Sequence, residues 1–284
     1  MLKSFLILFI FAVSLLIVFL AYEKYVVLPK SQLNPQAEVL PKQEVFGLEL
    51  IEEVNLKNQE IKNFSCQNVN VFVHHSGFKL KLTGSLNYEK SQNLNMEVKS
   101  IFGNEFLMGS NSDEFWFWSK RLKPLALYHA KHEDYSKTRL KTVFNPIIVM
   151  DSLGFRELKL HPGVAVKERE NDVVLVEKIK NSIGQIVGHM TFIDKKEKRI
   201  KGFMITDQEG TIIASSEIVE YRNNLPYQIL YTWQEEDQAM LIELPDSQVN
   251  TSIDSNKWKR PHYQNEIDMG KTVARMKWEF FPDE

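Results

Sequence analysis

Apolar and polar residues alternate with a period of two through most of this chain, and that pattern admits few folds. In FKLKLTGSLNY, residues Phe78, Leu80, Leu82, Gly84, Leu86 and Tyr88 alternate with Lys79, Lys81, Thr83, Ser85 and Asn87. In LNMEVKSIF, Leu94, Met96 and Val98 alternate with Asn95, Glu97 and Lys99. Side chains of a strand point in turn to its two faces, so each segment has one wet and one buried side. Similar runs occur at 69–73, 104–110, 114–119, 126–130, 172–179, 185–193, 199–206, 211–221, 227–233 and 239–244. Turn residues separate them at Ser76-Gly77, Gly103-Asn104, Asp194 to Lys198, Asp207 to Gly210 and Asn223 to Pro226. Strands at spacings of about ten residues without intervening helices predict an antiparallel meander, closed as a barrel or a sharply curled sheet. The fold class is mainly β with short covering helices.

Two segments break the period. Leu48, Ile51 and Val54 recur every third residue in FGLELIEEVNLK, which predicts a short amphipathic helix, with a first strand as the alternative. Asn145-Pro146 opens PIIVMDSL and Gly154 closes it, the N-cap, first-turn proline and terminal glycine of a short helix. That helix is too apolar for water and is expected to pack on the concave face of the sheet. The last part, Asp246 to Glu284, carries Trp258, Tyr263, Met269, Met276, Trp278, Phe280 and Phe281. It is too apolar for a free tail, so it should fold back on the domain, with a strand from Thr272 to Phe280.

Ahead of the strands, Phe5 to Ala21 reads FLILFIFAVSLLIVFLA with only Ser14 polar, a membrane-entering helix at the short end of the spanning range. A cut after Ala21 would put Phe19 at the −3 position, which a signal peptidase disfavours, so an uncleaved anchor is expected. Cys66, the only cysteine, lies far from that run, which argues against N-terminal lipidation. The chain divides into an anchor or signal segment over 1–24, an extended linker over 25–44 containing Pro29, Pro35 and Pro41, and a single β-domain over 45–284. Lysines flank the apolar run on both sides, so charge gives little orientation, and export of the domain from the cytoplasmic membrane is the expectation. With 35 Lys and Arg against 37 Asp and Glu, no global field draws the chain to nucleic acid.

Residues 109–118, GSNSDEFWFW, are the sharpest local signal. Phe115 and Phe117 fall on one side of a strand and Trp116 and Trp118 on the other, so both faces are apolar. Such a strand is either wholly covered by protein or forms the wall of an apolar cavity. Met108, Phe115, Trp116, Phe117 and Trp118 are the candidate wall, and Ile147, Ile148 and Met150 of the short helix the candidate lid. Signatures of catalysis are absent: the chain has no G-x-S-x-G or H-E-x-x-H, and Gly270-Lys271-Thr272 lacks the glycine that would open a phosphate loop. His129-Ala130-Lys131-His132-Glu133-Asp134 groups metal-ligand types, but a strand sends its two histidines to opposite faces, so a polar hairpin end is expected instead. Neither enzyme activity, metal nor cofactor is expected. Lys195, Lys196, Lys198, Arg199 and Lys201 read as a solvated hairpin tip.

The succession NLNMEVKSIFG, GSNSDEFWFWSK, LYHAKHED and FNPIIVMDSLGF resembles LolA-like proteins, the periplasmic lipoprotein carriers and outer-membrane receptors. The resemblance covers roughly residues 45 to 244 and implies a highly curved antiparallel half-barrel, closed by short helices over an apolar cavity that binds acyl chains without chemistry. The chain departs from the carriers in keeping an anchor and from the receptors in lacking a lipidated N-terminal cysteine. The expected function is therefore binding of a lipid or lipidated chain in the cell envelope. The alternative is a membrane-anchored interaction or sensor domain whose filled core serves to present a surface to a protein partner.

Overall fold

The computed structural model describes residues 43–75, 78–90, 92–138, 145–180, 185–233, 238–272 and 277–278. The apolar segment Phe5 to Ala21 and most of the linker lie outside them. Among the described residues no helix is long and apolar enough to cross a membrane.

The described residues open with helix α1 (Gln43–Glu60), then form β1 (Asn63–His75), β2 (Phe78–Glu89), β3 (Asn93–Ser100), β4 (Gly103–Ser110), β5 (Glu114–Ser119), β6 (Leu122–Lys123) and β7 (Leu127–Lys131). A 3-10 turn and helix α2 (Pro146–Ser152) follow. A second run comprises β8 (Val164–Glu168), β9 (Asp172–Lys180), β10 (Ile186–Asp194), β11 (Arg199–Thr206), β12 (Ile212–Arg222), β13 (Leu225–Trp233) and β14 (Gln238–Glu243). Short strands β15 (Gln248–Val249), β16 (Glu266–Asp268) and β17 (Lys277–Trp278) end it. The alternating segments are thus strands, and β8 and the short β6, β15 and β16 were not expected from the sequence. Of the C-terminal strand expected over Thr272 to Phe280, Lys277–Trp278 form β17, which pairs with β6, and residues 273–276 and 279–280 lie outside the described residues.

Fourteen strands lie in the order β16-β7-β5-β4-β3-β2-β1-β14-β13-β12-β11-β10-β9-β8, with β15 beside β1. Each run is a meander, and they join where β1 pairs β14, Val71 opposite Ile242. The first strand among the described residues is therefore central. The sheet curls until residues of one face meet across it: Phe64, Leu86, Met108 and Phe117 share a core with Ala214, Ile229, Tyr231 and Ile242. Two glycines permit this curvature. A Cβ at Gly84 would lie 1.9 Å from the Glu97 carbonyl oxygen, and one at Gly202 2.0 Å from that of Ser216, so no other residue lets the neighbouring strand come so close. The result is mainly β, an open and highly curved sheet with few helices.

Both helices lie against the inner face. Helix α1 buries Leu50, Ile51 and Val54 against Val173, Leu175, Ile193 and Ile200. Leu48, expected on this stripe, is 42 % exposed. At 3.6 residues per turn the buried row is Leu50, Ile51, Val54 and Asn58, and Leu48 falls off its edge. Asn58 Nδ2 donates to the carbonyls of Gly154 and Arg156, and Asn55 both donates to and accepts from the Leu158 backbone. These side-chain amides satisfy the extended segment 154–158, which has no strand partner.

Candidate functional site

Strand β5 is the centre of the candidate site because its two faces are closed by different parts of the chain. On the inner face Met108 stands opposite Phe117, and Phe115 opposite Ala130. Phe117 stacks on Tyr128 with ring centroids 5.4 Å apart, and Phe115 contacts His132 at 5.7 Å and Tyr135 at 6.1 Å. Met108, at 1 %, and Phe117, at 0 %, are sealed from solvent by the chain itself. Helix α2 completes this side. Val149, Met150 and Leu153 join the cluster of Met108, Phe115 and Phe117, whereas Ile148 enters a neighbouring group with Val187, Phe203 and Ile205. Ile147 stands at the surface.

The ends of α2 are tied down by polar contacts. Asn145 caps it by accepting from the Ile147 N–H at 3.0 Å, as the Asn-Pro motif predicts. At the other end Arg156 pairs with Asp151 at 3.0 Å, donates to Thr191 Oγ1 at 2.7 Å and lies 3.9 Å from Glu177. Glu177 in turn sits 3.3 Å from the buried His189 and 3.6 Å from His161, while Ser152 shares a short hydrogen bond with Tyr231. Burial raises the Asp151 carboxyl above the usual range against the opposing pull of Arg156. His189 holds Glu177 below the usual range against the effect of burial. Burial, reinforced by the Asp151 charge, pushes the Tyr88 hydroxyl up to about 12.

The outer face of β5 is covered by an arm formed from residues 251–270. Trp116 lies flat over Gly109, where a Cβ would approach its indole to 2.3 Å. Trp118 meets Tyr263 of the arm at 5.9 Å. Arg260 pairs with Glu114 at 3.2 Å and with Glu266 at 2.5 Å, and Asn111 donates to the Trp258 carbonyl at 3.2 Å. Strand β16 then extends the sheet, parallel to β7, with the Met269 N–H donating to the His129 carbonyl at 2.8 Å. The expected fold-back of the C-terminal part is thus observed, and it explains why β5 is aromatic on both sides.

Of the eight candidate residues, Met108, Phe115, Phe117 and Met150 come together in one cluster. Ile148 lies in the neighbouring one, Trp116 and Trp118 lie across the sheet, and Ile147 faces outward. Sequence reading named Tyr263 only as part of the fold-back, and missed the arm residue Arg260 and the polar ties Asp151, Arg156, Glu177 and His189. Polar residues in loops and on sheet faces leave no periodic trace, so their convergence needs tertiary structure. The two histidines of 129–134 do diverge, His129 beside Glu114 at 3.8 Å and His132 on Asn111 O at 2.8 Å. Among the described residues no group of three ligand-type side chains is placed to hold a metal. In the basic hairpin Lys195 pairs with Glu168, Lys198 with Glu53 and Arg199 with Glu197.

A curved antiparallel sheet with a helix closing its inner face defines the class of fold, and known structures share it. The chain is similar to a DUF1329 family protein from Desulfovibrio piger, with a TM-score of 0.51 at 9 % identity over 75 % of this chain and 95 % of that one. It is similar to a putative outer membrane lipoprotein-sorting protein domain from Vibrio parahaemolyticus, with a TM-score of 0.50 at 11 % identity over the same shares. A LolA superfamily protein from Nitrosomonas europaea aligns over 75 % of this chain and 97 % of its own, with a TM-score of 0.49 at 8 % identity. The curved antiparallel fold that the resemblance implied is thus shared with the Desulfovibrio and Vibrio structures. No protein-family model and no curated protein matches the chain.

Proposed function

We propose that the protein is a non-enzymatic envelope protein that binds a lipid or lipid-modified chain between the inner face of its sheet and helix α2. One observation carries this reading: a predominantly apolar inner face, Met108, Phe115 and Phe117 included, is closed by a seven-residue helix that polar contacts tie at its ends. A helix that short has little hold of its own, so an acyl chain entering beneath it would replace one set of apolar contacts by another. A C16 chain brings on the order of 10 kcal/mol, at about 0.8 kcal/mol per buried methylene, before ordering costs. The distribution of exposed apolar residues supports contact with a lipid phase. Ile101, 93 % exposed, and Phe102, 79 % exposed, form the β3–β4 turn, and by strand direction Leu125, Ile179 and Ile186 lie at the same end of the sheet. The lipoprotein-sorting description of the Vibrio neighbour agrees with this class of ligand. In this reading residues 1–24 anchor the chain in the cytoplasmic membrane, 25–44 form a tether and 45–284 are one LolA-like domain on the exported side.

The test is native mass spectrometry of the full chain, with organic extraction of bound species, compared with Ile148→Asp. Lipid bound to the wild-type chain and lost from a variant that remains folded is the expected result. A bare protein that also takes up no fluorescent fatty acid would move the assignment to a partner-binding domain. The near-complete burial of Met108, Phe115 and Phe117 by the chain itself is the observation that favours this second reading.

A further inference from the structure

The outer face carries a cleft that neither the lipid reading nor the aromatic core uses. It lies between β3–β4 and the C-terminal arm, with a volume of about 360 Å³, at the small end of the range for ligand pockets. Asn95 and Glu97 reach it from β3, and Asn104 and Leu107 from β4. Asn104 is there because of a bulge. Val98 pairs with Phe106 but Lys99 with Asn104, so Glu105 is the extra residue and the strand turns Asn104 to the outer side. The arm supplies the opposite wall with Asp254, Asn256, Lys257, Lys259, Pro261 and Tyr263.

The chemistry of this lining narrows its ligand. Two carboxylates, Glu97 and Asp254, face two ammonium groups, Lys257 and Lys259, and Lys257 Nζ lies 3.3 Å from Glu97 Oε1. The cleft is therefore close to neutral and has no field to select a phosphate, a nucleic acid or a cation. It is too polar for an acyl chain. Two exposed side-chain amides, Asn104 and Asn256, offer donors and an acceptor, and Asn95, buried and also accepting from Asn87 Nδ2, lies at the floor. Mutual contacts hold several of these groups in place: Asn95 Nδ2 donates to Glu97 Oε1 at 3.3 Å, and Lys259 Nζ to Asn256 Oδ1 at 2.8 Å. Beside them Leu107, Pro261 and the Tyr263 ring, itself packed on Trp118, form an apolar strip. Planar amides and carboxylates next to an aromatic ring match a ligand with one hydroxyl-rich edge and one C–H face.

We propose that this cleft is a binding site for a neutral oligosaccharide, whose ring face lies on Tyr263 and whose hydroxyls meet Asn95, Asn104, Glu97 and Asn256. The site is separate from the inner face, so the proposal stands whether or not the lipid reading holds. The experiment titrates the full chain, in a zwitterionic detergent without a sugar headgroup, with the trimer of N-acetylglucosamine and with maltotriose, following tryptophan emission and heat. Saturable binding of at least one trisaccharide is expected. Asn104→Ala, at an exposed position, should weaken it roughly fivefold, as for the loss of one hydrogen-bonding side chain, with an unchanged melting temperature. Ser112→Ala, in the turn at the other end of β4 and β5, should leave affinity unchanged. No saturable signal from either sugar, or equal affinity in wild type and Asn104→Ala, would overturn the proposal.

Discussion

The two faces of β5 are equally aromatic, yet they are closed by opposite means, and Trp118 on the outer face stays only half-buried. Inside, Phe115 and Phe117 meet apolar residues of β4, β7 and α2, and the closure is dispersion and water exclusion. Outside, Trp116 and Trp118 lie under an arm with little regular structure, held by Arg260, Asn111, the Tyr263 ring and the parallel strand β16. The same aromatic pattern thus conceals unequal physics. The inner closure depends mainly on volume, with ion pairs confined to the C-terminal end of α2, whereas the outer one combines a tight steric fit with more exposed, screenable charges.

The largest expected effect is on the inner face. Phe117→Ala should cost about 3–5 kcal/mol, the range for deleting a fully buried aromatic ring, in urea unfolding followed by tryptophan emission. A loss below about 1 kcal/mol would mean that the inner face is loosely packed and that the contrast fails. Next comes Gly109→Ala, whose new methyl meets Trp116 at 2.3 Å. Displacing that indole should cost about 1–3 kcal/mol and shift the tryptophan emission. Retention of both stability and spectrum would show that the arm yields freely and that the outer fit is not tight.

The polar ties of α2 give a pH signature. Because Glu177 titrates below its ordinary value of about 4.3, it contributes stability that is fully present above that value and is lost as pH falls through its lowered folded value. Asp151, raised by burial, acts in the opposite sense: folding favours its protonated form, so its contribution falls as pH rises from the unfolded toward the folded value. Glu177→Gln should therefore make the acid limb of the stability profile shallower. An unaltered slope between wild type and variant would remove Glu177 from the closure. The smallest effect belongs to the arm. Arg260→Gln should cost about 1 kcal/mol or less, and the difference from wild type should shrink in high salt, as expected of partly exposed ion pairs. If salt leaves that difference intact, shape rather than charge holds the arm.

Much of the fold was legible because alternation is a local property. Leu94, Met96 and Val98 share a face whatever β3 pairs with, and the Asn145-Pro146 start of α2 is written in adjacent residues. β8 was not legible, since VAVKE alternates weakly and its partner β9 gives it order. Part of the candidate site could be read as well, because the Phe and Trp pairs of β5 announce two covered faces. What covers each face could not be read, as Arg260 lies 146 positions from Glu114. The Asn104 side of the outer cleft likewise depends on a bulge in pairing, which a single strand does not encode.

By itself, then, the sequence determined the strands, their two-faced character, the short capped helix and the return of the C-terminal part to the domain. All of these follow from spacing along one segment and from the cost of leaving apolar residues in water. Only the tertiary structure decided that β1 joins β14 to make two meanders one sheet, that α2 closes the inside of β5 and the arm its outside, and that Asp151, Arg156, Glu177 and His189 meet. Those are contacts between segments far apart in the chain. Their choice rests on the fit of whole surfaces after the sheet has curled, a property that no short stretch of residues possesses.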